Sequence, residues 1–163
     1  MRKILPAIAA VGLMFPMMAA SARAAEPSEF VRQMNQINLE EIELGHYAAE
    51  HGERHEIKEF GTKLADDHSA AAEELRHIAR HLDMHLRDDL DEEHRHKVEH
   101  LESLHGREFD RAFIHAMVEG HENAIHLFED VREHAQHREV REYAAAQLPH
   151  LHHHLDRAHE IGE

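Results

Sequence analysis

The chain of 163 residues has no cysteine and no tryptophan, only four prolines and two tyrosines, and about half as many basic residues as acidic ones. Without cysteine there is no disulfide framework, no thiolate metal site and no lipid-bearing cysteine at a processing site. Beyond residue 24 the prolines are Pro27 and Pro149, and no stretch alternates apolar with polar residues, so the strand signal is missing and the fold class is all-α. Apart from residues 4–20, no run is apolar enough for a membrane span. What is abundant is acid and imidazole: 33 Asp and Glu and 21 His.

Arg2 and Lys3 precede an apolar run from Ile4 to Ala20, which ends in Ala22-Arg23-Ala24. Pro6, Gly12 and Pro16 break that run, and it falls short of the roughly 20 residues of a spanning helix, so residues 1–24 read as a secretory signal peptide cleaved after Ala24. The expected mature protein, 25–163, is one domain in the periplasm, soluble or associated with the outer membrane. It carries all 21 histidines and, without Arg2, Lys3 and Arg23, has 15 cationic against 33 acidic residues, a formal charge of −18. Such a field disfavours nucleic acid and anionic lipid as partners. Imidazoles titrating near pH 6.5 make it strongly dependent on pH.

Helical periodicity divides the mature chain. A first helix is expected from a Ser28 N-cap to a Gly52 C-cap, and a second from about Arg54 to Leu82. A polar crossover then runs from Asp83 to Gly106. Within it, Asp89 with Glu92 resembles a capping box opening a short helix that bears Val98, Leu101 and Leu104. Two more long helices are expected, from about Glu108 to His134 and from about Glu139 to Ile161. Two hairpins joined by one long crossover is the ferritin-like form of the four-helix bundle.

Each long helix carries an apolar stripe at spacings of three and four. The first reads Phe30, Met34, Ile37, Glu41, Leu44, Ala48, and the second Ile57, Phe60, Leu64, His68, Ala71, Leu75, Ile78, Leu82. The third reads Phe113, Met117, His121, Ala124, Phe128, Val131, and the fourth Val140, Ala144, Gln147, Leu151, His154, Ala158, Ile161. Glu41, His68, His121 and His154 thus interrupt four apolar faces near their middles. Counting about 1.5 Å per residue from the turns, the three histidines can share one level, while Glu41 falls roughly 7 Å out of register with His68. Imidazoles and a carboxylate buried together need hydrogen bonds or a shared cation, and this donor set suits Zn, Ni, Cu or Fe. The plainer account is a polar layer that fixes helix register. Pro149 removes one helical hydrogen bond and is expected to kink the last helix and aim His150 or His154 inward.

Further histidines stand four apart: His51 and His55; His77, His81 and His85; His96 and His100; His150 and His154. Pairs of this kind share a helix face and can chelate weakly, or serve only as solvated surface.

The segments Glu41-Ile42-Glu43-Leu44-Gly45, Asp67-His68, Phe109-Asp110-Arg111-Ala112-Phe113 with Met117-Val118 and His121, and Leu148-Pro149-His150-Leu151 with His154 resemble the bacterial domain of unknown function family 4142. The resemblance spans nearly the whole mature chain and implies a ferritin-like helical fold and export, with no established activity. Di-iron bundles use Glu-x-x-His on two helices. Here Ala65, Val118 and Leu151 stand three residues before His68, His121 and His154, so those bridging carboxylates are missing from the core faces.

The function expected is a periplasmic protein that binds or buffers a divalent transition metal, in metal or envelope stress handling. Its rivals are a structural or acid-protective envelope protein and a metal-dependent oxidoreductase or hydrolase, for which no catalytic motif is present. Protein recovered from the periplasm should have an intact mass beginning at Ala25; full-length chain in the inner membrane would contradict the signal peptide.

Overall fold

The computed structural model describes residues 27–163; the expected signal peptide, residues 1–24, lies outside them. The described chain holds five helices and no strand: α1 Pro27–His51, α2 His55–His81, α3 Glu92–Glu102, α4 Gly106–His134 and α5 Arg138–Gly162. Among the described residues no helix is long and apolar enough to cross a membrane.

Helices α1 and α2 pack along their lengths as one hairpin and α4 and α5 as another, and the hairpins meet mainly through α2 and α5. Three contacts fix how they run. At one end Arg54, which precedes α2, donates from its side chain to the Ile161 carbonyl near the end of α5. At the same end Asp110 in the first turns of α4 accepts the Glu53 and Arg54 backbone N–H groups at 3.0 and 3.1 Å. At the other end His81 of α2 meets Glu139 of α5 at 3.0 Å. Hence α2 and α4 run in the same direction, and residues 82–105 carry the chain back along the bundle, with α3 packed on α1.

The helix ends show what local sequence could not. Ser28 is not the start of α1, which already includes Pro27, a residue suited to a first turn because its missing N–H has no helical partner there. The start of α2 has no cap from its own Arg54 side chain; the buried Asp110 carboxylate supplies that service from α4. Helix α3 is capped by Asp91, whose side chain accepts from the His94 N–H, and not by Asp89. The Asp89 carboxylate is taken by Arg87, while Gln36 of α1 donates to the Asp89 carbonyl and accepts from the Asp91 N–H. Asn35 adds a bond to the Arg87 carbonyl. The crossover is therefore pinned through α1, and this tertiary anchoring shifts the cap by two residues. After α2, Asp83 takes a left-handed φ of 52°, with Met84 N–H bonded to Ala79 O and Asp83 N–H to Arg80 O. These are the paired bonds of a Schellman ending, here made without glycine.

The register of the first hairpin is set by a close approach of two backbones. A Cβ added at Gly45 would lie 2.7 Å from the Gly61 carbonyl, and one at Gly61 would lie 2.6 Å from the Gly45 carbonyl. Only glycine at both positions allows this separation. From that crossing each step back along α1 is matched by a step forward along α2. Asn38, seven residues before Gly45, therefore stands opposite His68, seven residues after Gly61.

The apolar interior forms two clusters. One gathers Phe30, Met34, Leu75, Phe128 and Tyr143, and the other Leu44, Ile57, Leu64, Phe113 and Ile161. Between them lie Glu41, His68, His121 and His154.

Gly45→Ala and Gly61→Ala should each lower stability by about 1–3 kcal/mol by forcing α1 and α2 apart. Gly120→Ala, on an exposed part of α4 with no such contact, should be neutral or stabilising by up to about 1 kcal/mol. Urea unfolding of the three variants measures this, and an unchanged midpoint for the first two would show that the crossing sets nothing.

Candidate metal centre

All four interrupting side chains are buried: Glu41 and His68 are 6% exposed, and His121 and His154 1%. The three imidazole rings form a triangle with centre-to-centre sides of 5.2, 5.5 and 6.0 Å. Glu41 closes the group: its Oε2 lies 3.2 Å from His68 Nε2 and 3.7 Å from His121 Nε2. The expected 7 Å offset of Glu41 is therefore corrected. The Gly45–Gly61 crossing puts the hairpin midpoint at residue 53, one past Gly52, so Glu41 faces Ala65, three residues or about 4.5 Å from His68. A glutamate side chain spans that gap.

Each imidazole is held from outside by an acceptor. His121 Nδ1 donates to the Met117 carbonyl at 2.8 Å. His154 Nε2 donates to Asp67 Oδ2 at 2.8 Å. His68 Nδ1 donates to Asn38 Oδ1 at 2.9 Å, while the Asn38 amide nitrogen faces the Tyr143 hydroxyl. A neutral imidazole has one N–H and one lone pair, so committing the outer N–H leaves the lone pair inward on each ring. His121 Nε2 and His154 Nδ1 then face each other at 3.2 Å. Glu41 Oε2 and His68 Nε2, though 3.2 Å apart, are not aligned as a hydrogen bond, and neither has another partner. Leaving a buried polar atom unpaired costs about 1–3 kcal/mol, more for a charge.

Four inward donors, three nitrogens and one carboxylate oxygen, need a positive centre among them. A four-coordinate cation with bonds of about 2.0–2.1 Å sets its donors about 3.3 Å apart; three of the six donor pairs here come near that, at 3.2, 3.7 and 3.2 Å. One ring nitrogen from each of the three histidines lies within 4.8 Å of the other two, the one such group of three or more potential ligands among the described residues, and Glu41 stands at its edge. Outer acceptors of this kind orient metal-bound histidines and fix their tautomers. Protons shared within the layer are the competing way to neutralise it.

Charge in the layer follows from burial and neighbours. Burial pushes the Glu41 carboxyl up, but the imidazoles of His121 and His68 more than reverse this and hold it at about 2. Burial lowers His154 to about 4, against the hydrogen bond it donates to Asp67, with His68 and His121 adding to the fall. Burial also works to raise Asp67, yet its bonds from Lys63 and His154 leave its carboxyl below the ordinary value. Glu40, beside the layer, is raised to about 7, chiefly by burial.

Asn38 and Asp67 were not among the sequence-predicted site residues. Asn38 lies one turn before Glu41 on the same face, and Asp67 precedes His68, so both sat beside the signal without repeating it. Helix α5 runs on through Pro149, with His154 turned inward and His150 exposed, its Nδ1 3.9 Å from Asp67. Exposed histidines of the four-apart pairs meet acids instead: His51 with Glu50, His55 with Glu59, His81 with Glu139 and His96 with Glu92 and Glu99. The larger surface hollows, of about 880 Å³ around Arg54 and Asp110 and about 700 Å³ around Gln36 and Arg87, are lined by other residues.

Fold and site together define an all-α bundle with a buried carboxylate and three imidazoles at its waist. The chain belongs to the family described as Domain of unknown function (DUF4142), whose model matches residues 14–161. No curated protein and no solved structure matches it.

In the metal-free protein His154 should stay neutral until about pH 4, a titration that imidazole NMR resolves from the exposed histidines. Because its folded pKa lies below the unfolded 6.5, the stability it contributes is present above 6.5 and lost as pH falls through about 4. Comparison with His154→Gln cancels the opposite effect of Glu40, whose raised pKa favours the folded protein at low pH. The stability advantage of the wild type over that variant should shrink by up to about 3 kcal/mol between pH 6.5 and 4. An advantage that grew on acidification would contradict a buried neutral imidazole.

Proposed function

We propose that Glu41, His68, His121 and His154 hold one divalent transition-metal ion and that the protein binds or buffers such ions in the periplasm, in metal or envelope stress handling. The observation that carries this reading is the commitment of all three outer imidazole N–H groups to acceptors, which turns three lone pairs into the layer, two of them toward one carboxylate oxygen. Three imidazole nitrogens with a carboxylate oxygen beside two of them are a donor set that favours zinc or copper, with nickel and iron as weaker candidates. The bundle is, on this reading, ferritin-like in arrangement without a di-iron carboxylate set. All four donors come from the protein, so storage or buffering is a better fit than an oxidoreductase or hydrolase, which needs an open coordination position.

A second reading is a register-fixing layer in which shared protons replace the metal, favoured by the 3.2 Å separation of Glu41 Oε2 and His68 Nε2. Calorimetric titration of chelator-stripped protein with Zn, Ni and Cu separates the two. One tight site and several weak ones are expected. His121→Ala should abolish the tight site, while Asp67→Asn or Asn38→Ala should weaken it about 10–100-fold through loss of an outer acceptor. His77→Ala with His81→Ala should change only the weak phase, and tight binding should fall off below about pH 6 as imidazoles protonate. Identical curves for wild type and His121→Ala would leave the proton-sharing layer as the account.

A further inference from the structure

The centre faces outward on two sides of the bundle. On the α2–α5 side Asp67 covers His154, and the Lys63 ammonium sits 2.6 Å from Asp67 Oδ2. A cation approaching there meets a carboxylate already occupied by two donors.

The α1–α4 side is different. These two helices hardly touch, and a cavity of about 500 Å³ lies between α1, α3 and α4. Its walls include Glu40, His115, Glu119 and Asn123, together with Lys97, whose ammonium is paired with Glu93 at 2.9 Å. Gly120 also lines it. A Cβ at Gly120 would meet only one atom within 4 Å, Oε1 of Glu41 at 3.9 Å. The carboxylate whose other oxygen lacks a partner inside the layer thus lies directly behind the one cavity residue that has no side chain.

We propose that this cavity is a vestibule through which divalent cations pass Gly120 to Glu41 at the edge of the buried centre, meeting Glu119, His115 and Glu40 on its walls singly and not as a site. The proposal rests on the reading of that centre as a metal site and adds its route of loading. The wall has the chemistry for transfer, since carboxylate, imidazole and amide oxygen are ligands that a partly hydrated cation exchanges readily. Glu41 then serves twice, receiving the ion through Oε1 and holding it through Oε2. A carboxylate that turns about one bond can do both.

The test is the rate of loading of the chelator-stripped full chain, followed by stopped flow as Zn is taken from a fluorescent chelator. Gly120→Leu places a branched side chain between cavity and carboxylate at an exposed helical position that tolerates it. Loading and release should both slow, by about 10-fold or more, with little change in equilibrium affinity, because a blocked route raises the barrier from both directions. Gly120→Ala should fall between the variant and wild type. Loading of Gly120→Leu at the wild-type rate overturns the route, as does slower loading with a matching loss of affinity, which would mark a distorted site. Equilibrium titration of the wild type is read separately: if it shows no tight site, the centre itself fails and the route with it, whereas tight binding with unchanged Gly120→Leu kinetics removes the route alone.

Discussion

The contact on which the waist of this bundle depends is the crossing of Gly45 over Gly61. Two helices whose carbonyls come so near the facing α-carbons have one permitted register, because a shift of a single residue would drive a side chain into backbone. That register sets Asn38 opposite His68 and brings Glu41 to within a turn of it. It therefore decides both the acceptor that orients one imidazole and the carboxylate that faces its other nitrogen. The second hairpin is placed against the first from its ends, by Asp110 and Arg54 at one and His81 with Glu139 at the other. His121 and His154 are thereby lowered to the same level.

Burying four ionisable groups between two apolar clusters is unfavourable unless each is satisfied, and the way this layer is satisfied is uneven. Outside, every imidazole has an acceptor at 2.8–2.9 Å. Inside, acceptor meets acceptor. The arrangement stabilises the neutral tautomers of the rings from without and leaves their lone pairs concentrated within, which is the polarity a cation requires and the opposite of what a self-sufficient hydrogen-bonded layer would choose. Glu41 is held low by its imidazole neighbours against the effect of burial, whereas His154 is depressed chiefly by burial itself.

The remaining histidines follow a different rule. Exposed and set beside Glu or Asp, they lie within ion-pair distance of surface carboxylates, so the high imidazole content divides into a buried set bonded to fixed acceptors and an outer set beside acids.

The sequence by itself determined the all-α class, the limits of the long helices to within about two residues, and the four polar interruptions of the apolar stripes, because helical periodicity is a local property that each segment carries alone. It also carried the family. What it did not carry were relations between segments. The cap of α2 comes from Asp110, more than fifty residues away; the cap of α3 moved from Asp89 to Asp91 because Gln36 binds the crossover there; and Asn38 and Asp67 gained their roles only when opposite helices were aligned. Counting from Gly52 put Glu41 out of reach because it misplaces the hairpin midpoint by one residue, an error that doubles across two antiparallel helices. Only the tertiary structure decided which donors share a level, since height along a bundle is fixed by backbone packing at a crossing that leaves no periodic trace in the chain.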